Sequence, residues 1–309
     1  DIHFSQFYFN PLSVNPAHTG FFQGDYRIIT NYKNQWQSII NPYRTAFASV
    51  ELSLPVKRIG IGMSFFNDKA GKSKMGITKG DLSASYTLRA NSSNSIATGL
   101  QFGFGQQSIR TNDLKWDSQF NGVLYDPTLP SGENQLANSN TFIDVSGGTM
   151  WDYSNKYNQL KINVGAAMYH INQPIQSFYN NSDAKLLRKL VCHLNGQIKL
   201  IDKQAFLLPQ FIYFMQGPYQ EMDAGLLFKY IIGVDNASEL VYVDKWTSSA
   251  VYLGGQYRFK DAFVACAAFE LQKSLLIGFS YDINISKLRV ASDFRGGMEI
   301  TLRYKGAFN

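Results

Sequence analysis

The residue types that could do chemistry in this chain of 309 residues are few and far apart. The four histidines, His3, His18, His170 and His193, are dispersed along it. A Ser–His–acid set, as in a membrane phospholipase, needs a base and its orienting carboxylate held beside a nucleophile. His170 falls at the end of a strand-like segment, but no spacing implies a partner for it. A lone polar histidine there reads first as a hydrogen-bonding residue. Cys192 and Cys266, the two cysteines, lie in different segments, suit no metal-ligand spacing and are not expected to form a disulfide. No Gly-rich loop leads from a strand into a helix. The expectation is a protein with no catalytic residues, no metal and no cofactor.

The elements that would position any site are strands. In the last of them Met298, Ile300, Leu302 and Tyr304 share one face, and Glu299, Thr301, Arg303 and Lys305 share the other. Successive side chains of a strand point to opposite sides, so this is a sheet with one apolar and one charged face. Ile59 to Phe65, Ile96 to Phe104 and Leu275 to Ile283 alternate in the same way. About fourteen strands are read, near 26–34, 43–54, 58–66, 79–89, 95–106, 141–153, 159–170, 189–200, 204–216, 219–231, 249–258, 262–271, 274–284 and 296–305. Pro209 cannot donate to a ladder and predicts a bulge in the ninth. Residues 183–190 could make one or two helical turns within a loop.

Composition supports this reading. Aromatics make up 15% of the chain and charged residues only 17%, against about a quarter in soluble domains. Hydrophobic residues reach 45%, yet mean hydropathy is −0.19, so the apolar residues are dispersed. No apolar run is long enough for a transmembrane helix. The start, Asp1-Ile2-His3-Phe4, has no basic and apolar leader pattern and reads as a processed mature end. The net charge is +6, but Lys and Arg are scattered without a stripe, which argues against a nucleic-acid partner. Nothing marks a linker, so 1–309 is read as one domain, with 1–22 preceding a barrel over 23–309.

Connection lengths give the sheet two ends. Gaps after odd-numbered strands are often long (67–78, 107–140, 171–188 and 285–295). Those after even-numbered strands are mostly short, with 232–248 the exception. Short turns at one end and long loops at the other are the outer-membrane arrangement, with the short turns periplasmic. On this reading 232–248 lies in the periplasm.

About fourteen strands would enclose too wide a space for apolar side chains to fill. The stable solution turns the apolar face to lipid and lines the lumen with polar and small residues, Gly103 and Gly105 among them. Closure satisfies every backbone donor and acceptor, as a bilayer demands. Tyr26, Trp36, Tyr43, Trp151, Tyr153, Tyr213, Tyr257 and Phe259 fall at strand ends, as interfacial girdles do. A soluble β-sandwich is the alternative, and it leaves the alternating gap lengths unexplained. The fold expected is therefore an all-β, transmembrane, antiparallel up-and-down barrel.

The pattern breaks before the first strand. Phe4-Ser5-Gln6-Phe7 is followed by Asn10-Pro11 and Asn15-Pro16, two Asn-Pro pairs that make successive turns. Residues 1–22 could be a plug folded into the lumen, with Phe4, Phe7, Asn10, Pro11, Asn15 and Pro16 at its centre, or a periplasmic leader. Tyr32-Lys33-Asn34-Gln35-Trp36 and Phe66-Asn67-Asp68-Lys69-Ala70-Gly71 fall at the outer rim. Turn chemistry and lumen hydrogen bonding account for them first; partner contact at Asn34, Trp36, Asn67, Asp68 and Lys69 is the sharper reading. The 107–140 loop carries Trp116, Phe120 and Tyr125, residue types over-represented at binding hot spots.

These phrases, with Gln216-Gly217-Pro218-Tyr219-Gln220 and Gly278-Phe279-Ser280-Tyr281-Asp282 through Ser286-Lys287-Leu288, resemble the PorP/SprF family of outer-membrane proteins tied to type IX secretion and gliding. They occur in the family's order and span nearly the whole chain. Residues 233–248 look inserted, and Met298 stands where a polar residue is commoner. The resemblance implies a non-enzymatic outer-membrane barrel of a Gram-negative-type envelope, with its signal peptide removed. It also implies partners among the secretion machinery. Some relatives associate with periplasmic ring components; others serve a large secreted adhesin through its C-terminal domain, in export or surface anchoring. Membrane lipid would surround the barrel. The alternative function is a porin or hydrophobic-solute transporter.

Overall fold

A computed structural model describes residues 1, 3–35, 43–54, 56, 58–71, 75–110, 114–132, 137–155, 159–178, 184–200, 204–233, 248–286 and 295–308. Fourteen antiparallel strands close into one barrel. They are β1 (Tyr26–Gln35), β2 (Tyr43–Leu54), β3 (Ile59–Ala70), β4 (Met75–Arg89), β5 (Asn94–Ser108), β6 (Ser139–Ser154) and β7 (Leu160–Tyr169). The ring continues through β8 (Lys189–Lys199), β9 (Ala205–Gln216), β10 (Tyr219–Ile232), β11 (Ser249–Arg258), β12 (Ala262–Leu271), β13 (Leu275–Asn284) and β14 (Arg295–Gly306). Each strand pairs with its sequence neighbours, and β1 pairs with β14 from Tyr26↔Gly306 to Gln35↔Gly297. No helix among the described residues is long and apolar enough to cross a membrane.

The faces are inverted relative to a soluble core. Met298, Leu302 and Tyr304 are exposed on the outside, while Glu299 and Thr301 are buried inside. Leu100, Phe102 and Phe104 likewise point out, while Gln101 and the adjacent glycines point in, Gly103 beside Asp81 and Gly105 beside the Phe142 ring. Aromatic pairs mark both rims on the outer face: Trp151 with Tyr153 at 6.0 Å, and Tyr257 with Phe259 at 5.1 Å. Tyr43 departs from that girdle and turns inward to line a cavity.

Three local expectations fail. The register of β9 stays continuous through Pro209 against β10 (Leu226↔Pro209), and no bulge forms. The missing N–H is absorbed toward β8, where the ladder lapses between Asn195↔Gln210 and Ile198↔Leu207 and resumes in the same register. The register shift lies instead at Asp282/Ile283 against β14. Ala184 to Arg188 form no helical turn; Lys185 bridges Ile175 as a short extended pair. The gap expected at 67–78 shrinks because β3 and β4 run longer, through Asn67↔Thr78 to Ala70↔Met75. The long connections that remain at that end are 109–138, 170–188 and 285–294. The long connection at the opposite end is 233–248, of which 234–247 lie outside the described residues.

Candidate functional site: the lumen and its N-terminal segment

Residues 3–20 run through the interior of the barrel. Their local shape follows from two prolines, each opening a short 3-10 turn, Pro11–Ser13 and Pro16–His18. Asn15 caps the second turn, its side chain accepting from the Ala17 N–H at 2.9 Å. Asn10 does not cap the first. Its carbonyl instead accepts from Ser13 Oγ at 2.8 Å.

Apolar side chains of the segment meet apolar patches on the wall. Phe9 packs with Leu208, Leu227, Tyr252, Val264 and Leu276. Phe7 and Val14 pack with Tyr169, Val191 and Ile212, and Ala17 with Ala97 and Met150. Phe4, Phe7 and Phe9 are 5%, 3% and 2% exposed, so each holds on the order of 1.5–3 kcal/mol of burial free energy. The lumen is therefore not uniformly polar: β8 to β13 carry apolar residues on both faces where the segment lies against them.

Polar clamps fix the segment at three places. In the first, the backbone N–H groups of Ser5 and Gln6 donate to the Glu299 carboxylate at 2.7 and 2.9 Å. The Ser5 hydroxyl donates to Asp282 at 2.9 Å and accepts from Lys33 Nζ at 3.1 Å and Arg258 at 3.0 Å. Gln6 Nε2 donates to the Glu299 carbonyl at 2.9 Å, and Lys33 donates to the His3 carbonyl at 3.1 Å. Lys33 is fully buried, which its flanking carboxylates Asp282 (3.8 Å) and Glu299 (4.0 Å) make tolerable.

In the second clamp, Asn15 Nδ2 donates to the carbonyls of Thr149 (3.1 Å) and Ala166 (3.3 Å) and lies 3.2 Å from His193 Nε2. In the third, Arg27 grips Glu51 with two bonds of 2.8 Å and donates to the His18 carbonyl at 3.2 Å. Glu51 also accepts from the Gly20 N–H at 3.1 Å, and Ser85 donates to the Thr19 carbonyl at 2.5 Å. Wall glycines leave the room: a Cβ at Gly60 would overlap the Thr19 carbonyl, and one at Gly99 the Pro16 carbonyl. Burial, with His193 and Arg27 nearby, holds the His18 imidazole well below its ordinary pKa.

Beyond the segment, toward the long-loop end, lies a cavity of about 1000 Å³. Phe47, Phe66, Phe142, Tyr169 and Phe214 line it together with Phe4, Phe7 and Leu12. Its polar groups form a chain: Lys79 bonds Asp144 at 2.6 Å and Asp81 at 3.0 Å, and Asp144 meets His170 Nδ1 at 2.9 Å. His170 Nε2 meets the Asp1 carboxylate at 2.5 Å. His170 therefore has the carboxylate that spacing could not reveal. Both ring nitrogens face carboxylates, which leaves neither for activating a nucleophile. Burial is the largest influence on His170 and lowers its pKa, against the opposing pull of Asp144. Among the described residues no group of three or more His, Cys, Asp or Glu is arranged to hold a metal ion, and both cysteines are free.

The residues singled out from sequence fall in different places. Phe4, Phe7, Asn10, Pro11, Asn15 and Pro16 all belong to the interior segment, with Pro11 the most accessible of them. Asn67 donates to Thr78 at 2.7 Å, and Asp68 accepts from Thr45 at 2.8 Å and lines the cavity. Asn34 is buried but sits on the outer face of β1, paired with the outward-facing Met298, and Lys69 points outward; Trp36 lies outside the described residues. In the long loop, Phe120 and Tyr125 bridge across a tight hairpin. Gln119 pins this hairpin, bonding the Leu129 carbonyl at 3.0 Å and the Tyr125 hydroxyl at 3.2 Å. Trp116 and Tyr125 are half-buried, and Lys115 lies over the Tyr125 ring at 4.7 Å. The residues presented to solvent are Phe120, Val123 and Leu124, at 55%, 79% and 68% exposure. Sequence reasoning missed Val123 and Leu124 because two aliphatics in a loop carry no signal until the hairpin leaves them without neighbours. It also missed Glu299 and Arg258, whose charges read simply as the polar side of a strand.

The phrases that carry the family resemblance converge here. Ser5 of the first, Lys33 of the second and Asp282 of the last meet at one hydroxyl. Among solved structures the barrel is similar to the toluene transporter TbuX of Ralstonia pickettii, at 10% identity and a TM-score of 0.53, over 96% of this chain and 92% of that one. The monoaromatic hydrocarbon channel CymD aligns at 10% identity and a TM-score of 0.48, over 97% and 93%. BamA of Haemophilus ducreyi aligns at 10% and 0.42, over 91% and 70%. Such likeness is one of fold alone. No curated protein matches the sequence. The model of the type IX secretion system membrane proteins PorP/SprF matches residues 1–304. The chain belongs to the PorP/SprF family of type IX secretion system membrane proteins.

Proposed function

We propose that this barrel is a non-enzymatic accessory of type IX secretion that holds a protein partner at its outer end, with residues 1–22 acting as a plug. The partner is the C-terminal domain of a large secreted adhesin, held for export or for anchoring at the surface. The observation that carries this reading is the Ser5–Glu299 clamp together with the buried phenylalanines around it. A lumen filled this way offers solute no path, so the barrel's work falls to its ends. The outer end supplies what a protein ligand needs: an amphipathic cavity of about 1000 Å³ and a pinned hairpin displaying Phe120, Val123 and Leu124. Trp116 and Tyr125 hold that hairpin in shape, so partner contact centres on its tip. Asp68 offers the cavity a carboxylate whose nearest side-chain bond is to the Thr45 hydroxyl.

A photo-crosslinker at Leu124 in whole cells should capture one large secreted protein. Recovery of no protein from that position, with crosslinking intact at a control site, would remove this role. A transporter reading has architectural support only, through the likeness to TbuX in fold.

A further inference from the structure

The strands keep their charges almost entirely inside the barrel. Among the described residues, the charged side chains of the strands point to the lumen with two exceptions, Arg44 of β2 and Lys69 of β3. These two are register partners on the outer face, at the long-loop rim. Like charges directly opposite each other repel, and neither has a carboxylate partner among the described residues. Next below on the same face come Asn67 of β3 and Thr78 of β4, also register partners, with Asn67 Nδ2 donating to the Thr78 hydroxyl at 2.7 Å. Below those the outer surface is indented. Ala48 and Gly80 stand on either side of Phe65, and a Cβ at Gly80 would meet nothing within 4 Å. The result is a groove of about 320 Å³ walled by Val50, Met63, Phe65 and Leu82, all exposed on the outer face.

The face therefore presents three layers from the rim downward: two cations, then an amide beside a hydroxyl, then an apolar groove. Strands rise about 3.3 Å per residue, so the groove begins about 13 Å along the strands from the cations. An acylated phosphate amphiphile carries its groups in the same order: a phosphate, then ester or amide linkages, then hydrocarbon chains. A phosphate between Arg44 and Lys69 relieves their repulsion, and the guanidinium fork can meet two of its oxygens. The groove lies in the part of the wall that faces hydrocarbon, where acyl chains are the medium. We propose that the outer face of β2 to β4 binds a phosphate-bearing lipid of the outer leaflet, its phosphate at Arg44 and Lys69, its linkages at Asn67 and Thr78, and one acyl chain in the groove at Gly80. This site is separate from the lumen and does not rest on the partner proposed above.

The test is native mass spectrometry of the full chain, released from mild-detergent micelles doped with dipalmitoyl phosphatidic acid. The parent protein should carry bound lipid through detergent exchange. Retention should fall about tenfold when Arg44→Gln and Lys69→Gln are combined, whereas Arg44→Lys with Lys69→Arg should keep most of it. Gly80→Val fills the groove with both cations in place and should also lower retention. Lys185→Gln with Lys260→Gln removes two exposed cations elsewhere at the long-loop end and should change nothing. Equal losses in the two glutamine pairs would overturn the proposal. So would full retention in Gly80→Val, or displacement of the lipid by inorganic phosphate at matched ionic strength. A protein that co-purifies from cells in place of lipid, and is lost with the Arg44 and Lys69 changes, would assign the face to that protein instead and overturn it too. Unchanged thermal unfolding in each variant shows that the barrel itself is intact.

Discussion

The backbone N–H of Ser5 donates to Glu299 at 2.7 Å, joining the first turn of the chain to its last strand. The contact spans 294 positions, and Gln6 repeats it on the other carboxylate oxygen at 2.9 Å. Charge-assisted bonds of this kind contribute about 1.5–3 kcal/mol each. Glu299→Gln keeps one acceptor and removes the charge, which should weaken the clamp by about 2 kcal/mol. Protease should then cut within residues 3–20 faster than in the parent protein, with the barrel left intact. Unchanged cutting would place the hold on the segment elsewhere.

Space makes a second handle on the same segment. Gly99→Val puts a side chain where the Pro16 carbonyl sits, and overpacking of this kind costs about 1–3 kcal/mol. Gly80→Val is the matched control, because a Cβ there meets nothing within 4 Å. Gly99→Val should release the segment to protease and Gly80→Val should not. Equal behaviour of the two would count against close packing as the cause.

Acid should loosen the segment. His18 is buried with His193 and Arg27 close by, and its folded pKa lies well below the ordinary 6.5. The unfolded or released segment therefore binds the proton more readily. Stability from a neutral His18 is complete above about pH 6.5 and is lost as pH falls below that value. Between pH 6.5 and 5, above most carboxylate titrations, protease access to residues 3–20 should rise. His18→Asn should flatten that rise. A rise of the same size in the variant would assign it to another group.

The outer hairpin gives a fourth prediction. Val123→Asp with Leu124→Asp should lower retention of the secreted partner about tenfold in mild-detergent purification, with barrel stability unchanged. Tyr125→Phe removes the hydroxyl that bonds Gln119 and should weaken retention less, by loosening the hairpin. Full retention in the double variant would move the partner off this tip.

The strands were legible because lipid and water enforce opposite faces on one ladder, as Met298 to Lys305 show. β9 and β12 were harder to read. Phe206, Leu208 and Ile212 face inward, and so do Val264 and Ala268, because the N-terminal segment covers them. Alternation fades where the inside is packed by another piece of chain. The Asn-Pro turns were visible, but the contacts of the segment were not: Ser5, Lys33, Arg258, Asp282 and Glu299 are scattered along the sequence and meet only when the barrel closes. The same holds for His170, whose partner Asp144 lies on the neighbouring strand β6. The length of the 107–140 loop pointed to an outer feature; within it Trp116 and Tyr125 are half-buried, while Phe120 and two aliphatics, Val123 and Leu124, are exposed.

The central claim is that residues 1–22 close the lumen, so that this barrel works through its ends. Single-channel recording in planar bilayers tests it most directly, comparing the intact chain with one lacking residues 1–22. The account predicts no steady conductance from the intact protein and open-channel conductance from the shortened one. Steady conductance by the intact protein would contradict it.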